Sequence, residues 1–176
     1  QFGQIGQHHW GLRLPTDSFE YAKLRRLGSR GGGFVMETIE LRCHLGVGPV
    51  VSGEALVTDD NFSARYDLDR IAGIFSRPQH KLAGQSYVGK IMVFNTAKGG
   101  VASAWMLHEM KLRGVAPKAI LFNNVNPILA QGAALADMAM CDRFVDGDVT
   151  HLIRTGDQVE VRPEQGLVTI TRSSGR

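Results

Sequence analysis

Residues 91–107 hold the feature that most constrains this chain: an apolar run, a loop with two glycines, and the start of a helix-like pattern. A strand–loop–helix unit points backbone N–H groups outward at a helix N-terminus, where the helix dipole favours an anion. Lys98 adds a positive charge to the loop, while Gly99 and Gly100 let a ligand approach the backbone closely. We therefore predict that Lys98, Gly99 and Gly100 bind a carboxylate or phosphate. The alternative is a tight turn that merely exposes a lysine.

Motif spacing and composition exclude several classes of protein. The loop lacks the G-x-x-x-x-G-K-[ST] spacing of a Walker loop and the G-x-G-x-x-G of a dinucleotide-binding loop. Cys43 and Cys141 are the only cysteines, and two isolated cysteines make neither a disulfide framework nor, by themselves, a metal or cluster site. No uncharged run approaches the ~20 residues of a membrane span, and no secretory signal pattern is visible. We expect a protein of the reducing cytoplasm that has no membrane partner.

The basic character of the chain is confined to its first part. The formal net charge is +3, and residues 1–35 carry five lysines or arginines against two acidic residues, so residues 36–176 are formally neutral. A neutral body argues against a nucleic-acid surface. Residues 1–35 also lack a sustained period. We predict one domain at 36–176, preceded at 1–35 by an extension that is either foreign to the fold or an arm that packs on a partner.

The body of the chain predicts a mixed α/β layer protein, because strands at both ends enclose two strand–helix units. Asn126 and Pro127 are typical of a helix start. Residues 62–85 have few strong periods and predict a functional or capping loop. The predicted strands are 37–43, 50–58, 87–95, 119–122, 143–145, 158–162 and 167–171, and the predicted helices are 101–113 and 128–138.

From about Met36 to Ile170, about four-fifths of its length, the chain resembles one known family, and six short motifs carry the resemblance. Each is weak alone, but their order and spacing together are specific. They are Gly53–Val57, Phe62-Ser63 with Asp69 and Gly73, the H-x-L-x-G-x-S pattern of residues 80–86, Lys98-Gly99, Gly114–Ile120 and Pro127–Ala133. The family that they resemble is the small, swivel-type subunit of aconitase X.

The resemblance implies both a fold and a reaction. The fold is α/β, the swivelling β/β/α domain of the aconitase superfamily, with mixed sheets and two main helices. The reaction is dehydration of a hydroxy acid, either phosphomevalonate-like or cis-3-hydroxyproline-like. In such hydro-lyases an iron–sulfur cluster, held by cysteines of a large subunit, acts as Lewis acid on the leaving hydroxyl. The swivel piece supplies a proton-abstracting hydroxyl and anion-binding groups.

Half of the active site would therefore come from a partner. The resemblance implies an aconitase X large subunit as that partner and no cofactor in this chain. We expect the isolated chain to lack dehydratase activity. Without its large subunit, the chain could also form a homo-oligomer. A different class of function stays open as well: a non-catalytic swivel domain that binds a carboxylate metabolite or a protein partner.

The chain departs from the family pattern at one position that matters. The archaeal phosphomevalonate pattern has a serine directly after Lys-Gly, which looks like the general base, whereas this chain has Gly100. The difference favours the hydroxyproline type. Ser63, at a family-matched position, and Ser103, one helical turn after the loop, are the two candidates to replace that base. Each could instead be a structural hydroxyl, and a third alternative is that catalysis has been lost.

Two further polar residues are candidates for contact with the substrate. Arg65 lies in the 62–85 segment, and Asn124 follows a predicted strand, where open α/β sheets place their ligands. Charged and polar residues at such positions are also commonly just solvated. The predicted site therefore consists of Ser63 and Ser103 as catalytic candidates, with Lys98, Gly99, Gly100, Arg65 and Asn124 as substrate- or anion-binding candidates, and it includes no metal ligand.

Overall fold

The structure is a computed structural model that describes residues 35–174. The predicted extension at 1–35 lies outside the described residues, apart from its last residue. The strands are β1 Val35–Arg42, β2 Val51–Val57, β3 Leu68–Asp69, β4 Ile74–Phe75, β5 Ile91–Thr96, β6 Ala119–Asn124, β7 Ala139–Asp142, β8 Gln158–Arg162 and β9 Leu167–Ser174. The helices are α1 Val101–Leu112, α2 Pro127–Leu135 and α3 Val149–Leu152, and Pro163–Gln165 form one 3₁₀ turn.

Seven of these strands form one mixed sheet, in the order β1-β9-β8-β2-β5-β6-β7. The half made of β2, β5, β6 and β7 is parallel, and the half made of β1, β9, β8 and β2 is antiparallel. The chain that follows β1 crosses to β7, where Val47 and Met140 exchange both backbone hydrogen bonds, at 3.0 and 2.9 Å. The two edges of the sheet are thus joined through this segment. The predicted α/β class and the mixed sheet are confirmed.

The central strand β5 separates two apolar cores. Met92 and Phe94 point to one face, where Phe94 stacks on Phe62 with ring centroids 4.6 Å apart. Ile91 and Val93 point to the opposite face, which the antiparallel half of the sheet covers. A strand that is buried on both faces gives a continuous apolar run rather than an alternating one, and this is why residues 91–94 could be recognised from sequence.

Helices α1 and α2 pack side by side over the first of these cores. Leu107 and Met110 of α1 are fully buried in it. The two helices approach so closely that a Cβ at Gly132 would lie 2.5 Å from the Cβ of Ala104, so only glycine fits there. Helix α2 begins as predicted, because the Asn126 side chain accepts a hydrogen bond from the Leu129 N–H at 2.9 Å.

Residues 62–85 fold back over the same core as a cap, in agreement with one of the two predictions for this segment. They contain the short β3–β4 pair. Phe62, Leu68, Phe75 and Leu82 are all buried in the core, and Phe75 meets Tyr87 edge to face with centroids 5.9 Å apart. The segment is therefore held by long-range aromatic packing.

Two predicted elements are wrong at the same place. The predicted helix 128–138 ends at Leu135, and the predicted strand 143–145 is an irregular segment that leads into a turn, while the true strand is β7. The chain breaks direction at Asp137 and Arg143, whose φ angles are +48° and +55°. Left-handed backbone at residues other than glycine leaves little trace in a sequence, so these boundaries could not be seen. None of the helices within residues 35–174 is long and apolar enough to cross a membrane.

Candidate active site at the Lys98–Gly100 loop

The loop between β5 and α1 lies at the carboxyl ends of the parallel strands, and three hydrogen bonds from other segments hold it. The Lys98 N–H donates to the Phe62 carbonyl at 2.7 Å, and the Ala97 N–H donates to the Asn124 carbonyl at 3.2 Å. The Asn126 side-chain amide donates to the Gly99 carbonyl, also at 3.2 Å. The loop is therefore fixed on one side by the cap segment and on the other by the start of α2.

Gly99 brings the two candidate serines together. Its φ of +107° is in the left-handed region, and a Cβ at this position would collide with the Ser103 hydroxyl and lie 3.7 Å from the Ser63 Oγ. The loop backbone thus rests on Ser103, with Ser63 close beside it. Although Ser63 and Ser103 are far apart in sequence, the fold directs both hydroxyls to the underside of the same glycine.

Ser63 has an unsatisfied hydroxyl. Its side chain is buried, with 5% of the residue exposed, and its Oγ has no hydrogen-bond partner among residues 35–174. The Ser63 N–H donates to Asp67 Oδ2 at 2.7 Å, and the buried Asp67 carboxylate in turn pairs with Arg77 at 3.3 Å. A buried polar atom without a partner is costly. The backbone is thus anchored while the hydroxyl is left free to meet a ligand.

Ser103 lies in the first turn of α1 and is also buried, with 2% of the residue exposed. Its N–H donates to the Gly100 carbonyl at 3.0 Å. No side chain within residues 35–174 caps this 12-residue helix, and no acidic residue lies in its first turn. The positive end of the helix dipole therefore faces the loop without an internal counter-charge.

Lys98 and Gly99 are exposed at the rim of the loop. No carboxylate within residues 35–174 forms an ion pair with Lys98. At Gly100, φ is −124° and nothing lies within 4 Å of where a Cβ would be. The position that carries serine in the archaeal pattern could therefore accommodate one here without a clash.

The structure treats the two remaining candidates differently. Asn124 is exposed at the end of β6, and its carbonyl holds the loop through Ala97. Arg65 is also exposed, but its guanidinium lies over the Tyr66 ring, 5.4 Å from the centroid. Asn124 therefore contacts the loop through its backbone, and a role for its side chain in binding stays a prediction. Arg65 lies close to Ser63 in sequence, but no hydrogen bond or ion pair among the described residues joins its side chain to the loop.

A second polar cluster on the other side of the strand ends was missed from sequence. The Asn123 amide donates to Asn95 at 3.2 Å and to Asp148 at 2.7 Å, while its carbonyl oxygen accepts from the Val149 N–H at 2.9 Å. Desolvation raises the pKa of Asp148, but hydrogen bonds from Thr150 and Asn123 outweigh it and hold that pKa below its ordinary value. These side chains line a hollow of about 590 Å³ that also includes His44 and Arg143.

In the described part of the chain, no group of three His, Cys, Asp or Glu side chains is placed to hold a metal ion. The arrangement at the Lys98–Gly100 loop is instead suited to organic chemistry on an anion. It offers a cation, an uncapped helix N-terminus and two buried hydroxyls.

Comparison with known proteins agrees with the resemblance carried by the motifs. The small subunit of phosphomevalonate dehydratase from Methanococcoides burtonii is 30% identical over 135 residues, which cover 77% of this chain and 98% of that subunit. The corresponding subunit from Archaeoglobus fulgidus is 34% identical over 118 residues, covering 67% and 88%. A crystal structure of holo aconitase X from Thermococcus kodakaraensis matches with a TM-score of 0.69 at 30% identity, over 74% of this chain and 97% of that one. The family model of the aconitase X swivel domain matches residues 40–170, so this chain belongs to the aconitase X swivel-domain family.

Proposed function

We propose that this chain is the small subunit of an aconitase X-type dehydratase that removes water from an anionic hydroxy acid. The observation that carries the proposal is the convergence of the buried Ser63 and Ser103 hydroxyls beneath Gly99, next to Lys98 and the uncapped start of α1. The relatives' names support the reaction class, since they are called dehydratase small subunits. A non-catalytic swivel domain would use the same hydroxyl only to bind an anion, so turnover by the assembled complex distinguishes the two functions.

In this proposal the chain performs two tasks. Lys98 and the free N–H groups at the start of α1 bind the negative group of the substrate, which fixes the carbon that carries the proton. A serine then takes that proton as general base. A serine needs a nearby cation or dipole to lower its pKa, and the same lysine and helix terminus provide both.

Ser63 is the preferred base. Its Oγ is buried and without a partner in the described residues, so no internal hydrogen bond competes for its lone pairs. Ser103 lies in the first turn of α1 and is not at a family-matched position, whereas Ser63 is. We therefore assign proton abstraction to Ser63 and a supporting position under the loop to Ser103.

The other half of the site belongs to a large subunit in this proposal. Lys98 and Gly99 are exposed, so the site opens to the outside of the chain and leaves one side of a substrate uncovered. An iron–sulfur cluster held by cysteines of the large subunit would supply Lewis-acid activation of the leaving hydroxyl. Cys43 and Cys141 are too few for such a ligand set, and they lie away from this loop in the opposite core.

Two substrates fit this proposal. The relatives' names favour a phosphomevalonate-like acid. Gly100, in place of the serine of the archaeal pattern, favours a cis-3-hydroxyproline-like acid. Both present a carboxylate that the Lys98 loop can bind, so we propose the phosphomevalonate type first and keep the hydroxyproline type as the second candidate.

Co-expression with an aconitase X large subunit from the same genome tests the proposal. The purified complex is assayed for dehydration of 5-phosphomevalonate and of cis-3-hydroxyproline, each against the separate subunits. We expect turnover of one of the two by the complex and none by this chain alone. A complex that forms, carries its cluster and dehydrates neither acid would overturn the assignment of substrate. A chain that never binds a large subunit would overturn the proposed function itself.

A further inference from the structure

The only two cysteines of the chain meet where the sheet closes. Cys43 directly follows β1, and Cys141 lies in β7, at the opposite end of the strand order. The Cys43 N–H donates to the Gly166 carbonyl at 2.9 Å, and the next residue, His44, donates its N–H to the Asp142 carbonyl at 3.2 Å. The residue after Cys43 is thus hydrogen-bonded to the residue after Cys141, which places the two cysteines on neighbouring segments.

Their side chains also share one environment. Cys141 is a member of the core between the sheet halves, and Cys43 packs against that core from its rim. A Cβ at Gly46 would lie 2.8 Å from the Cys141 sulfur, so the chain segment that starts at Cys43 passes directly over that sulfur. Both side chains therefore lie in one small region of the core at the sheet closure.

The two thiols differ in access and in acidity. Cys43 is partly exposed, whereas Cys141 is only 1% exposed. The hydrogen bond from the Cys141 thiol lowers the pKa of Cys43, and this outweighs burial and the nearby Asp142 and Asp146 carboxylates, which raise it. The same hydrogen bond and burial raise the pKa of Cys141. Since the thiolate is the reactive form, Cys43 is the attacking sulfur and Cys141 the resolving one.

We propose that Cys43 and Cys141 form a reversible intramolecular disulfide when the chain meets a low-molecular-weight disulfide oxidant, such as glutathione disulfide. The Cys43 thiolate attacks one sulfur of the oxidant, whose S–S bond breaks and releases one glutathione thiolate. Cys141 then gives up its proton and attacks the Cys43 sulfur, which expels the second glutathione as a thiolate. The two protein thiols lose two electrons in total, and the oxidant gains them and ends as two thiols.

The bond would tie the end of β1 to β7 next to the strand ends that carry the candidate site. Asp142, adjacent to Cys141, accepts a hydrogen bond from the Val125 N–H at 3.3 Å, and Arg143 donates its N–H to the Asn123 carbonyl at 3.1 Å. The proposed disulfide would therefore covalently link the two edge strands of the sheet. It does not depend on the proposed dehydratase function.

The test uses the full chain, fully reduced and then exposed to glutathione disulfide at mildly alkaline pH, with thiol titration, intact mass and non-reducing electrophoresis as readouts. We expect a monomer that loses both free thiols, retains no glutathione, has the mass of the reduced chain less two hydrogen atoms, and regains both thiols in dithiothreitol. A lasting glutathione adduct on Cys43 with Cys141 still free, or a disulfide that joins two chains, would overturn the proposal.

Two variants assign the roles of the two sulfurs. Cys141→Ala should stop at a stable mixed disulfide between Cys43 and glutathione, because the resolving thiol is gone. Cys43→Ala should keep its remaining thiol unmodified on the same timescale, because Cys141 is buried. The native wild-type chain should also close the bond faster than the same chain unfolded in urea. Equal rates would show that the fold does not bring the two sulfurs together, whatever the variants do.

Discussion

Gly99 lies so close to Ser103 that position 99 has no room for a side chain. A Cβ there would be 3.1 Å from the Ser103 Cβ and would collide with its hydroxyl, and the φ of +107° is one that other residues rarely adopt. The backbone of the loop is therefore in direct contact with the first turn of α1. This contact fixes the distance between the loop backbone and the two serine side chains, so the arrangement of the site depends on it.

Gly99→Ala should destabilise the chain, whereas Gly100→Ser should not. At Gly99 the added methyl group faces both the collision and the left-handed φ, which together cost about 1–3 kcal/mol. At Gly100, φ is −124° with open space around a Cβ, and serine is a favoured helix N-cap that gains a few tenths of a kcal/mol over glycine. Denaturant unfolding of the two variants measures the difference. Equal stabilities would show that the loop does not rest on Ser103.

Ser63→Ala should separate catalysis from stability. The Ser63 Oγ has no partner to lose within residues 35–174, so its removal should leave the free energy of unfolding unchanged or slightly raised. In the reconstituted complex the loss of a general base should lower turnover by about 10²–10⁴-fold. Steady-state kinetics together with denaturant unfolding provide both readouts on the same protein preparation.

Ser103→Ala is the matched comparison, because Ser103 is also a buried residue and its hydroxyl lies under the same glycine. We expect a smaller loss of turnover than for Ser63→Ala. The reverse ranking would transfer the role of base to Ser103. If both variants keep near-full turnover, the proton is taken by the large subunit, and this chain only positions the substrate.

The Asp157–Arg172 ion pair should make the fold sensitive to acid. Asp157 Oδ1 accepts from Arg172 Nε at 2.9 Å, and both side chains are largely buried. Desolvation raises the pKa of Asp157, but hydrogen bonds from Arg172 and the Arg154 N–H outweigh it, so the pKa lies below its ordinary value. The carboxylate then stabilises the fold above its unfolded-state pKa of about 3.9, and this contribution is lost as the pH falls through the lower folded-state value.

Asp157→Asn should therefore cost about 3 kcal/mol at neutral pH, because it leaves the Arg172 charge buried without its partner. The difference from wild type should shrink as the pH falls from about 4, the unfolded-state pKa, through the lower folded-state pKa, where the wild-type carboxylate also becomes neutral. Glu160→Gln serves as control, since its partner Arg162 and Glu160 itself are each more than a third exposed, and such pairs contribute about 0–1 kcal/mol. A constant difference between wild type and Asp157→Asn across that pH range would contradict this account.

The parts of the fold that could be predicted are those in which residues close in sequence determine the local structure. Strands β5 and β6 are apolar on both faces, and the β8–β9 hairpin turns at Pro163 and Gly166, whose φ is +58°. The Asn126 cap is equally local. In contrast, β7 has only four residues and is bounded by Asp137 and Arg143 in left-handed conformations, for which the sequence gives no signal.

The sequence named the candidate residues, but not the geometry that brings some of them together. Lys98, Gly99 and Gly100 follow directly from the strand–loop–helix pattern. The meeting of Ser63 with Ser103 depends on the Phe62 carbonyl, which accepts from the Lys98 N–H, and on aromatic packing between segments far apart in the chain. No local period encodes such a contact. The roles of these residues stay predictions that substitution of Ser63, Ser103 and Lys98 can test.

Lys98→Ala should weaken catalysis without weakening the fold. The side chain is exposed and forms no ion pair with a carboxylate in residues 35–174. The free energy of unfolding should therefore change by less than about 0.5 kcal/mol. A charge-assisted hydrogen bond to a substrate anion contributes about 1.5–3 kcal/mol. At 1.36 kcal/mol per decade, kcat/KM of the complex should fall by about ten- to a hundredfold or more.

Lys111→Ala is the control for a general change in charge. Lys111 is exposed on the same helix but in its last turn, where its Nζ donates to the Asp137 carbonyl at 2.9 Å, so it cannot assist an anion at the start of α1. We expect kcat/KM to be unchanged for Lys111→Ala and partly restored by Lys98→Arg, which keeps the positive charge. If Lys98→Ala and Lys111→Ala reduce kcat/KM equally, the effect is long-range electrostatics of the whole chain, and the loop does not bind the substrate anion.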